Sequence, residues 1–197
     1  SRTWSAVMGA LSPHYQTIAM DHRGWGESDK PETGYQIASL AADAQAVIAQ
    51  LGLQRYILVG HSMGGKVAQL ITAHQPQGLK GLVLVAPSPP VPMHLSDEER
   101  AVLKSAYLCR ESVEYVIDHV LTAKKLRSEL RKQVIDDSLK GGAEAKKAWP
   151  DVAMGEDISA AVTAIRVPVK VIVGERDQVE RLSVLNAELL PRIPQAD

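Results

Sequence analysis

Ser62 lies in the run Gly60-His61-Ser62-Met63-Gly64, between an apolar segment, Arg55-Tyr56-Ile57-Leu58-Val59, and a stretch where Met63, Val67, Leu70 and Ile71 recur at helical spacing. The first segment reads as a buried strand, and the second as a helix running through Gln75 until Pro76 stops it. A serine on a strand-to-helix turn is held in a strained backbone conformation with its hydroxyl thrust outward. Gly60 and Gly64 on either side let strand and helix approach without a Cβ clash. The helix N-terminus beneath the serine places the backbone N–H of Met63 where it can stabilise an oxyanion. Such an arrangement suits nucleophilic attack on a carbonyl. The competing reading is a glycine-rich turn whose serine only caps the helix.

Other elements are needed to position that hydroxyl. Thr17-Ile18-Ala19-Met20-Asp21 reads as a strand, and Gly81-Leu82-Val83-Leu84-Val85 and Val169-Lys170-Val171-Ile172-Val173 as two more. Leu40, Ala44, Val47, Ile48 and Leu51 mark one face of a helix that ends near Gly52. Strands that alternate with helices and lack polar alternation predict a parallel sheet covered on both faces, an α/β fold.

Between Pro87 and Pro168 the character changes. Ser88-Pro89-Pro90-Val91-Pro92 reads as a stiff extended linker leaving the sheet. Ser96-Asp97-Glu98-Glu99 has capping-box form and opens a helix carrying Val102, Leu103, Ala106 and Tyr107. Val113, Val116, Ile117, Val120 and Leu121 mark a second helix, and Leu126, Leu130 and Val134 a third, before Gly141-Gly142 breaks the pattern. Lys124, Lys125, Arg127, Arg131 and Lys132 give this region a basic side, read as a solvated face.

The segment Asp21-His22-Arg23-Gly24-Trp25-Gly26-Glu27-Ser28-Asp29 and the turn at Ser62 together resemble the α/β-hydrolase superfamily, whose opening loop has the form Asp-x-Arg-Gly-x-Gly-x-Ser. The resemblance implies a partial α/β-hydrolase fold: a core formed by residues 1–87 and 165–197, with a helical cap at 88–164. It also implies that Asp177, in Gly174-Glu175-Arg176-Asp177 after the last strand, is the acid of a Ser–acid–His triad; a loop-capping aspartate is the alternative. In that order the histidine follows the acid, and no histidine follows Asp177. The expected base is therefore a histidine outside this chain. The second oxyanion donor is likewise expected upstream of Ser1, and the chain reads as a stretch of a longer protein. None of His14, His22, His61, His74, His94 and His119 is persuasive as a substitute base, although His94 at the cap entrance could overlook the pocket.

The superfamily's strand order also implies an empty slot between the 17–21 and 55–59 strands, about twice the ~4.8 Å inter-strand spacing. Direct pairing of those two strands would contradict this topology.

The implied activity is cleavage of a carboxylic ester or related acyl bond through a covalent acyl-Ser62 intermediate. Carbon–carbon bond hydrolysis, enol-lactone hydrolysis, cofactor-free perhydrolysis and low-turnover ligand binding are the alternatives. Serine at position 62 argues against the aspartate-using dehalogenases and epoxide hydrolases. No metal and no organic cofactor is expected, and the expected partner is a small-molecule ester or acyl substrate.

Composition narrows the classes further. The 197 residues have a net charge of −1, which suggests neither nucleic acid nor an anionic membrane as a partner. One cysteine, Cys109, excludes an internal disulfide and fits a reducing, cytoplasmic setting. No apolar run is long enough to span a bilayer.

Overall fold

A computed structural model describes residues 1–197. In chain order its elements are α1 (Ser5–Leu11), α2 (Ile37–Gln50), β1 (Tyr56–Ser62), α3 (Met63–Ala73), β2 (Leu79–Pro87), α4 (Asp97–Ser105), α5 (Arg110–Val116), α6 (Ser128–Leu139), α7 (Ala143–Asp151), α8 (Ser159–Val162), β3 (Val169–Ile172) and α9 (Leu182–Glu188). The strands form one parallel sheet in the order β1-β2-β3. At the far edge of β3, Val171 N–H donates to the Asp197 carbonyl and Asp197 N–H to the Val169 carbonyl.

Strand register explains the core. Leu58 faces Leu82, Leu82 faces Val169, and Leu84 faces Val171, so these side chains share one face. Against that face pack Ile37, Leu40 and Ala44 of α2, Val67 and Ile71 of α3, Val162 of α8 and Leu185 of α9, forming a single buried cluster. The opposite face carries Ile57, Val59 and Ile172, each about half exposed (54%, 45% and 51%). Cover on both faces was the expectation from the apolar strands. On that opposite face Trp4, in the N-terminal helical segment, stands edge-on to His61 and covers part of it.

The strand expected at Thr17–Asp21 does not form; the segment has no regular secondary structure and joins no ladder. A strand requires a neighbour for its backbone groups, and β1 pairs only with β2. The two segments are thus not joined directly, and Ile18 remains 46% exposed.

The loop after Asp21 is pinned to α2. The Arg23 guanidinium forks onto both oxygens of Asp43 (2.5 Å each) and donates to the Gly34 carbonyl at 3.0 Å. Gly24, at φ +82°, and Gly26, at φ +55°, turn the loop through left-handed backbone that a side chain would strain.

Between β2 and β3 the chain is helical. Ser96 and Glu99 form the expected reciprocal capping box at α4. Val113, Ile117 and Ile135 form a small separate core under α5 and α6. Two residues of the basic side found by sequence are tied to neighbouring acids, Arg131 to Glu114 and Asp118 and Lys132 to Asp136, while Lys124, Lys125 and Arg127 are exposed. From Ala153 onward the chain rejoins the main cluster through Ile158, Val162 and Ile165. No helix is long and apolar enough to cross a membrane.

Candidate active site

Ser62 occupies φ +48°, ψ −122°, at the junction of β1 and α3. The ladder slips between His61 and Ser62, so the serine leaves regular strand geometry as the helix begins. Holding a non-glycine residue in this region stores roughly 1–3 kcal/mol and persists only where the surroundings enforce it. The Ser62 side chain makes no capping hydrogen bond to α3. The helix-capping reading of this serine is thereby removed, and its hydroxyl is free for another partner.

Close packing imposes the turn. A Cβ on Gly60 would lie 2.5 Å from the Gly64 carbonyl and 2.8 Å from the Gly65 Cα. A Cβ on Gly65 would lie 2.7 Å from the Pro87 Cβ, whereas one on Gly64 would meet only the His22 Nε2, at 3.7 Å. The glycines that permit the approach of strand and helix are therefore Gly60 and Gly65. This corrects the expectation for Gly64, whose missing side chain leaves open space beside His22.

The Ser62 hydroxyl donates to Oε1 of Glu180 at 3.3 Å, and the Ser88 hydroxyl donates to the same oxygen at 2.5 Å. Ser88 is fully buried; its N–H donates to the Ser62 carbonyl at 3.0 Å, and its own carbonyl accepts from Gln69 at 3.0 Å. Neither Ser88 nor Glu180 was singled out from sequence. Glu180 is 4% exposed, and its second oxygen is buried without a partner. Burial pushes its carboxyl up from an ordinary 4.5 to about 7, against the lowering effect of the Ser88 and Ser62 hydroxyls.

Asp177 stands on the same loop after β3. Its Oδ1 accepts the N–H groups of Val179 at 2.9 Å and Glu180 at 2.8 Å. One oxygen thus performs the loop-capping task that was the alternative reading, while Oδ2 has no protein partner. Asp177 and Ser62 are brought to one region through Glu180, not through a direct bond.

No histidine hydrogen-bonds to Ser62. His61 is exposed, with its ring edge-on to Trp4 at a centroid distance of 6.4 Å. His22 is largely buried behind Gly64, and that burial lowers its pKa toward the neutral form. His94 is exposed.

Met63 begins α3, an eleven-residue helix whose N-terminal dipole is directed at the turn. Beside Met63 a narrow crevice is lined by His22, Trp25, Tyr35 and Trp149, between the Asp21–Asp29 loop and α7. Behind the turn, fully buried Lys66 donates to the carbonyls of Val91 at 3.1 Å and Glu156 at 2.5 Å. Burial pulls its pKa down from 10.5 to about 8. No group of three or more His, Cys, Asp or Glu side chains is gathered to hold a metal ion.

Residues 1–111 match the sequence pattern of the alpha/beta hydrolase fold. The chain is 27% identical over 205 residues to a 2-(acetamidomethylene)succinate hydrolase of Mesorhizobium japonicum, covering 98% of this chain and 74% of that protein. Among solved structures, an esterase from Exiguobacterium antarcticum superposes with a TM-score of 0.89 at 24% identity, covering 100% of this chain and 76% of the esterase. An enol-lactonase from Burkholderia xenovorans superposes with a TM-score of 0.84 at 22% identity, covering 99% of this chain and 75% of the lactonase.

Proposed function

This chain belongs to the alpha/beta hydrolase fold family, and on that premise we propose that it is a serine hydrolase acting on a carboxylic ester or related acyl bond. The observation that carries the proposal is Ser62 itself: strained at φ +48°, uninvolved in capping its helix, and set at that helix's N-terminus. Strain kept at a helix N-terminus is explained by attack chemistry, because the turn exposes an oxygen and the helix supplies a donor for the charge that follows.

In this reading Ser62 Oγ attacks the acyl carbon and the Met63 N–H receives the developing oxyanion. A histidine outside residues 1–197 accepts the serine proton and returns it to the leaving alkoxide. Asp177, through its unpartnered Oδ2, orients that histidine and balances its charge. Water then releases the acyl group, and no metal or organic cofactor enters. The insertion at 88–164 roofs the serine, with Trp149 and the crevice beside Met63 receiving part of the substrate.

The names of the similar proteins, an esterase and an enol-lactonase among them, fit acyl–oxygen cleavage.

The test is covalent labelling. A fluorophosphonate probe applied to the protein should modify Ser62, as read by peptide mass, and the signal should vanish in Ser62→Ala. Undiminished labelling of Ser62→Ala overturns the nucleophile assignment.

A further inference from the structure

We propose that Glu180 is a proton acceptor for Ser62, built into this chain in addition to the histidine invoked above; the inference rests on Ser62 being the nucleophile. The Ser62 hydroxyl has one side-chain partner, Glu180 Oε1 at 3.3 Å. Ser88 holds that same oxygen in place with a 2.5 Å hydrogen bond, and Asp177 fixes the Glu180 backbone by accepting its N–H at 2.8 Å. The carboxyl is thus anchored on both sides and directed at the nucleophile, and Glu180 and Ser88 are themselves buried.

The buried second oxygen, Oε2, makes no hydrogen bond. Most buried side-chain oxygens have a hydrogen-bond partner, so a bare one calls for an explanation. Leaving Oε2 bare favours uptake of a proton by this group, since the neutral acid suffers less from burial than the carboxylate. Two charged groups face it. Asp177 on its own loop disfavours the carboxylate, and Lys66 on α3 favours it, but burial outweighs both and sets the titration near 7. An acceptor that titrates close to the working pH is both available as a base and strong enough to hold a proton in the transition state.

The step balances simply. As Ser62 Oγ forms its bond to the acyl carbon, the O–H pair stays on oxygen and the proton moves to the Glu180 carboxylate. The carbonyl π pair moves to the oxyanion. When the tetrahedral adduct collapses, the leaving oxygen departs with its bonding pair and receives the proton from the Glu180 acid. No oxidant, reductant or additional group is required.

The experiment measures fluorophosphonate labelling rates of the 197-residue chain between roughly pH 5.5 and 8.5, spanning the expected titration. Labelling of Ser62 should rise with pH, with a midpoint near 7, the value at which Glu180 becomes a carboxylate. Glu180→Gln should lower the rate at the top of that range by about 100-fold and flatten its pH dependence. Ser88→Ala removes a bond that favours the carboxylate, so it should move the midpoint upward while keeping most of the rate at high pH. A merely structural Ser88–Glu180 pair would give no such shift. The proposal is overturned if Glu180→Gln labels at the parent rate with the parent profile. It is also overturned if the parent chain, folded by circular dichroism, labels no faster than Ser62→Ala. After that second outcome the same labelling of a longer form that carries the histidine decides the nucleophile: a signal lost in Ser62→Ala upholds Ser62, and labelling that survives in Ser62→Ala removes both.

Discussion

Gly60 lies directly against Gly64: a Cβ on the first would sit 2.5 Å from the carbonyl oxygen of the second. Both are backbone positions that cannot give way singly, because Gly60 is held in β1 and Gly64 in the first turn of α3. The contact fixes the angle between strand and helix, and with it the direction of the Ser62 hydroxyl.

Gly60→Ala should therefore destabilise the chain by about 3 kcal/mol or more, since overpacking against rigid backbone exceeds the usual 1–3 kcal/mol. Gly64→Ala meets only the His22 ring at an ordinary 3.7 Å and sits in helical backbone. It should leave stability within about 1 kcal/mol of the parent. Urea unfolding of the two variants measures the contrast, and equal losses would remove the packing account of the turn.

Asp177 should separate loop architecture from chemistry. Asn keeps a side-chain oxygen for the N–H groups of Val179 and Glu180, which Asp177 Oδ1 now accepts. Asp177→Asn is therefore expected to melt within a few degrees of the parent. It loses the charge that steadies a histidinium, so kcat should fall by about 10³- to 10⁴-fold. Asp177→Ala loses both N–H bonds and should cost about 1–2 kcal/mol of stability as well. Steady-state hydrolysis of a short p-nitrophenyl ester by the complete enzyme, beside melting curves, reads both effects. Unchanged turnover in Asp177→Asn would move the acid elsewhere.

What the sequence made legible was local. The Ser62 turn depends on residues within a few positions of each other, as does the Ser96–Glu99 capping box, and both are found where the pattern puts them. Glu180 was hidden because its burial is tertiary: it follows Asp177 in a charged loop, and only folding sets it against the end of β2. Ser88 was hidden by its neighbours, since a proline-rich run reads as linker although Ser88 is fully buried. Thr17–Asp21 has the composition of a strand, yet a ladder depends on a partner distant in sequence. Helix α7 escaped because Pro150 lies in its last turn and its apolar spacing is irregular.

Glu180 should also make stability depend on pH in an unusual direction. Its carboxyl titrates at about 7 in the folded chain against an ordinary 4.5. Between those values the folded state holds more protons than the unfolded state, so stability falls as pH rises through that window. The full shift corresponds to about 3 kcal/mol, an upper figure for a group with its protein partners in place. Glu180→Gln should remove this term. Relative to the parent, the variant should gain stability between acid and mildly alkaline pH. Paired urea titrations at the two ends of the window check the sign; a variant that tracks the parent at every pH would place the titration elsewhere.

Lys66 joins the two ends of the helical insertion. Its ammonium holds the carbonyls of Val91, where the chain leaves the sheet, and Glu156, where it returns. Removing the side chain leaves a cavity beside α3 and two carbonyls without a donor. Orphaned buried carbonyls cost about 1–3 kcal/mol each. Relief from burying the charge offsets part of that loss, since burial has already drawn the lysine pKa down to about 8. For Lys66→Ala the cavity adds to the lost bonds, and the expected loss is about 4 kcal/mol. Lys66→Met fills most of the volume and relieves the charge, so it should lose only about 1–2 kcal/mol. Both variants should increase amide hydrogen exchange around Val91 and Glu156 more than in α2, because the bonds that close the insertion are the ones removed. Uniform exchange across the chain in Lys66→Met would show that the lysine supports the core in general and not the junction of insertion and sheet.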